Sequence, residues 1–63
     1  MEADHTYLSI RVYSNGGDLT LECNGDIGTM ADNLELWALV VEVVGDGMMQ
    51  MNRAIAERQA LNN

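Results

Sequence analysis

The sequence predicts an α+β fold of the ββα type. An N-terminal two-stranded antiparallel β-hairpin (residues 6–23) precedes one long amphipathic helix (residues 29–61), within a single domain spanning residues 1–63. Three observations carry this reading. Apolar residues alternate with polar ones over Thr6–Tyr13 and again over Leu19–Cys23. An Asn-Gly-Gly sequence lies between those runs. From Met30 to Ile55 the apolar residues recur at heptad spacing.

Residues 1–5 are polar and acidic and read as a frayed start, without the charged and apolar regions of a signal peptide. In the first strand Leu8, Ile10 and Val12 fall on one side, and Tyr7, Ser9, Arg11 and Tyr13 on the other, the period of a half-buried strand. Asn15-Gly16 is a favoured pair for a type I′ turn, where both central residues need positive φ. That turn pairs Val12 with Leu19, Ile10 with Leu21 and Leu8 with Cys23, placing Glu22 diagonal to Arg11. Centring the turn on Gly16-Gly17 keeps the same parity, so the same residues stay on the apolar face. Cys23 belongs to that face and reads as a buried small apolar residue rather than a nucleophile.

Asn24 to Gly28 reads as a flexible connection, and Thr29 as the helix N-cap, with Asp32 completing a weak capping box. Met30, Leu34, Trp37, Val41, Val44, Met48, Met51 and Ile55 are then separated by steps of 4, 3, 4, 3, 4, 3 and 4. This a/d alternation places one apolar stripe along a helix. Glu35, Glu42, Asp46, Arg53 and Glu57 lie off it. The valines at 40, 41, 43 and 44 favour a strand, but the stripe continues past them. Gly45-Asp46-Gly47 offers a break into two helices, since each glycine costs a helix interior about 1 kcal/mol. The unshifted heptad phase favours one helix. Trp37, on the stripe, reads as core.

Sixty-three residues bury a modest core. Chains of this size usually need a disulfide, a metal or a second copy. One cysteine and one histidine supply neither of the first two. As a helix, residues 29–61 extend about 50 Å, whereas a seven-residue strand covers about 23 Å. The hairpin thus shields about half of the helix and leaves Met48, Met49, Met51 and Ile55 bare. A homo-oligomer, most simply a dimer, follows, with Trp37, Val41, Val44, Met48, Met51 and Ile55 as its interface.

The net charge is −7, with no lysine and only Arg11, Arg53 and Arg58 as cations. Direct contact with nucleic acid or an acidic membrane is disfavoured. A basic protein partner, such as a nucleic-acid-binding complex, is favoured. The alternative is that the acidity serves solubility or reflects a salt-adapted host. The apolar run from Leu34 to Val44 is too short to span a bilayer. With the lone thiol, this fits a cytoplasmic protein, in a host cytoplasm if phage-encoded.

No catalytic constellation is expected: His5 is the only histidine and lies near the chain start. Neither cofactor nor metal is expected, since Asn24, Asp26 and Gly28 lack the remaining ligands of a calcium loop. The function class left is a small acidic interaction module, an inhibitor or adaptor occupying a basic surface. A phage-type anti-defence (anti-CRISPR) protein is one concrete form. Its carboxylates would be Glu22, Glu35, Glu42 and Asp46. Tyr7, Arg11 and Tyr13, on the outer sheet face, have a common binding composition. The alternative is a ligand-sequestering or structural homo-oligomer.

Overall fold

Two glycines set the hairpin. In the computed structural model, which describes residues 4–62, strands β1 (Leu8–Asn15) and β2 (Asp18–Gly25) pair antiparallel. They turn through Gly16 and Gly17, at φ 62° and 93°. Positive φ is free of steric cost for glycine and only tolerated by asparagine. The turn therefore forms at Gly16-Gly17 rather than at Asn15-Gly16, and the expected pairing shifts. Val12 faces Leu21, Ile10 faces Cys23, Leu8 faces Gly25, and Leu19 faces Ser14. Parity is kept, so Leu8, Ile10, Val12, Leu19, Leu21 and Cys23 still share one face. On the other face Arg11 stands directly opposite Glu22, and Tyr13 opposite Thr20.

The chain then turns into two helices, α1 (Ile27–Asp32) and α2 (Leu34–Asn62), instead of one starting at Thr29. Asp26, not Thr29, is the first cap. Its carboxylate accepts from the Thr29 backbone N–H at 3.2 Å and from the Thr29 hydroxyl at 2.9 Å. Asn33 separates the helices at φ −141°, ψ 88°. Its N–H donates to the Met30 carbonyl at 3.3 Å, and its Oδ1 accepts from the Leu36 N–H at 3.2 Å. One asparagine thus ends α1 and caps α2, satisfying orphan groups on both sides. Met30 accordingly leaves the stripe of α2 and packs at the hairpin instead.

Met30 is the one buried hydrophobic residue among those described, at 6% exposure. It lies over Gly25, where an added Cβ would come within 3.1 Å of the Tyr7 carbonyl oxygen and 3.2 Å of Met30 Cε. That close approach calls for glycine. The Asp26 N–H donates to the Tyr7 carbonyl at 2.9 Å and fixes the exit of β2 against the entry of β1.

Helix α2 runs unbroken through Gly45-Asp46-Gly47. Its 29 residues correspond to about 43 Å at 1.5 Å per residue, most of the molecule's 48 Å long dimension. Leu36, Val40 and Val44 are half-buried, and from Gly45 to Asn62 every residue is exposed. The hairpin side of the molecule thus covers the first half of the helix on one flank only. No described helix is long and apolar enough to cross a membrane.

The outcome is an extended particle. Its radius of gyration is 15.4 Å, whereas about 10.6 Å is expected of a compact chain of this length. Its accessible surface is 5852 Å², against about 4,000 Å² for a compact protein of this mass.

Candidate interaction surfaces

Three surfaces follow from this shape. The first is the apolar stripe of α2. Trp37, expected in the core, is 42% exposed, and Met48 is 67% exposed. Val41, Met51 and Ile55 are exposed too, while Val44 is half-buried. Helical geometry explains the difference. Leu36, Val40 and Val44 face the segment from His5 to Leu8, across a groove of about 430 Å³ that Leu39 and Val43 also line. The stripe lies about a quarter-turn around the helix from that groove, at 100° per residue. Only Val44 belongs to both. At the N-terminal end of the stripe, Ile27, Met30, Ala31, Leu34 and Trp37 line a shallow apolar hollow of about 310 Å³. The apolar sheet face is open as well. Ile10, Val12, Leu19 and Leu21 are exposed, and so is the Cys23 thiol, contrary to the expectation that it is buried. The reason is the same: α2 does not lie across that face.

The second surface is acidic. Glu35, Glu42 and Asp46 are exposed on α2. At 100° per residue they fall within about 40° of one another, on the side opposite the stripe. Among the described residues none of the three has an ion-pair partner. Glu22 differs: its Oε2 is 3.2 Å from Arg11 Nε, on the outer sheet face. The structure therefore gathers three of the four expected carboxylates and sets Glu22 apart as a paired group.

The third is the outer sheet face. The Arg11 guanidinium lies 4.4 Å from the centre of the Tyr13 ring while pairing with Glu22. Arg11 and Tyr13 are thus brought together, whereas Tyr7 lines the groove against α2.

Sequence reasoning missed one cluster. His5, read as part of a frayed start, places Nε2 2.8 Å from Asp26 Oδ2. Its ring meets Tyr7 edge-on at 4.5 Å. Asp26 thereby holds His5, its own turn and the first turn of α1. The Thr29 backbone N–H first, then the Thr29 hydroxyl and His5, hold its carboxyl below the ordinary aspartate value. Hydrogen bonds to a charged carboxylate favour that form. The partners are 21 residues apart. The one local signal was the Asp26-to-Thr29 spacing, which fits an aspartate cap.

Comparison with protein-family models, curated proteins and solved structures finds no match.

Proposed function

We propose that this chain is a small acidic protein–protein interaction module, an inhibitor or adaptor that acts as a homo-oligomer and occupies a basic surface of its partner. The observation that carries the reading is the division of α2. Three carboxylates without ion-pair partners among the described residues lie on one side, and an uncovered apolar stripe lies on the other. The apolar side suits self-association, which supplies the buried area that one chain lacks. The acidic side then remains outward, where its field attracts and orients a cationic surface. A nucleic-acid-binding complex offers such a surface, and an anti-defence inhibitor is one protein that would use it.

The test is binding of a fluorescent oligo-arginine peptide at about 0.05 M and 0.3 M salt, where screening lengths differ by more than twofold. Binding is expected to weaken at the higher salt. It is also expected to weaken in the triple variant Glu35→Gln, Glu42→Gln, Asp46→Asn, but not in Asp18→Asn, at the hairpin turn. Salt-insensitive binding, or a triple variant that binds like the parent, would overturn the electrostatic mechanism.

A further inference from the structure

We infer that two copies of the chain pair through α2 in antiparallel orientation, about a two-fold axis level with Asp46. The inference rests on the self-association reading and specifies its geometry. Area comes first. The chain exposes about 1,850 Å² more than a compact protein of its mass. A stable dimer needs about 800 Å² from each partner. The surplus is therefore ample, and much of it lies on the stripe and the free second half of α2.

The pattern then fixes the register. In an antiparallel pair, a positions face d positions. Aligning the stripe with its own reverse places Val44 opposite the partner's Met48, Val41 opposite the partner's Met51, and Trp37 opposite the partner's Ile55. No other antiparallel alignment puts all six residues in register with one another. The hollow lined by Met30, Leu34 and Trp37 then receives the partner's last turns.

The helix dipoles select the orientation, and the charges along α2, whose carboxylates face away from the seam, add a weaker bias in the same direction. From Leu34 to Asp46 the helix carries three carboxylates and no cation; from Gly47 to Asn62 it carries Arg53 and Arg58 against Glu57. Antiparallel pairing sets the acidic half beside the half with net positive charge. Parallel pairing sets acid beside acid and aligns the helix dipoles unfavourably.

The glycines agree. A Cβ at Gly45 or Gly47 would meet nothing within 4 Å in the single chain. Neither has positive φ. Within one chain they only weaken the helix. On the two-fold, Gly45 faces the partner's Gly45 and Gly47 the partner's Gly47, where missing side chains let the backbones approach.

The experiment is nitroxide distance measurement on two variants, Asp46→Cys and Glu57→Cys, each with Cys23→Ser, alongside sedimentation of the unlabelled chain. Antiparallel pairing separates the labels at 57 by about 33 Å along the axis, while labels at 46 stay level. The distance from position 57 is therefore expected to exceed that from position 46 by at least about 10 Å. Equal distances from the two positions, in a sedimenting dimer, would overturn the antiparallel register while leaving self-association standing. A lone 6.9 kDa particle would overturn both.

Discussion

Replacing Met48 by glutamate separates a lone chain from a paired one. In the single chain Met48 is 67% exposed. Glutamate is about as good a helix former as methionine. A surface change of this kind shifts stability by no more than about 0.5 kcal/mol. In the pair, the same side chain sits against the partner's Val44. Full burial of a methionine is worth about 1.5–3 kcal/mol, and about two-thirds of that is still to be gained on association. Each chain thus forfeits about 1–2 kcal/mol, and a dimer about 2–4 kcal/mol. At about 1.4 kcal/mol per decade, the dissociation constant rises about 30- to 800-fold. The buried carboxylates raise it further. Sedimentation equilibrium across a concentration series reads this directly, and far-ultraviolet circular dichroism follows helix content. Gln50→Glu adds the same charge off the stripe and should leave association within a few-fold of the parent. If Met48→Glu behaved like Gln50→Glu in both assays, the stripe would not be an interface.

Gly45→Leu should raise intrinsic helicity, by about 0.8 kcal/mol in propensity, and yet weaken association; a higher melting temperature with unchanged association would refute close backbone approach. Gly17→Ala should destabilise the hairpin by about 1–2 kcal/mol, because φ of 93° is strained for any residue with a Cβ. A thermal melt would show this as a drop of at least about 4 °C. Asp26 gives an acid limb. Its carboxyl is held below the ordinary value of 3.8 by Thr29 and then His5. The stabilisation is therefore complete above that value and is lost as pH falls through the lower, folded-state value. A melting series from pH 5 to pH 2 should show this loss, and Asp26→Asn should flatten the low-pH slope.

The hairpin and the long helix were legible because their signals are local. Strand alternation fixed which residues share a face, and parity survived the shift of the turn from Asn15-Gly16 to Gly16-Gly17. The turn itself was misplaced because Asn-Gly is the commoner pair, while two adjacent glycines are freer still to take positive φ. The break at Asn33 was masked by the heptad phase, which runs through it. The cap chemistry of Asp26 with Thr29, and of Asn33 with Leu36, was nevertheless present in the residues. Burial at Trp37 and Cys23 was overread, since periodicity says which residues share a face but not whether anything covers it. The His5–Asp26 contact joins positions 21 apart, and no short-range pattern announces it. On the acidic side, the spacing of Glu35, Glu42 and Asp46 sufficed to group them, but the pairing of Glu22 with Arg11 depended on the corrected register.

Met30 is the one buried residue among those described, and this bears on abundance. With one methionine buried among the described residues, the chain draws little cohesion from itself, and its hairpin and helix form from neighbours close in sequence. Such pieces assemble quickly. If the lasting gain comes when two molecules meet, endurance follows mass action. The polypeptide would then be ordered when plentiful and vulnerable to proteolysis when scarce, so that expression level would govern its lifetime as well as its dose.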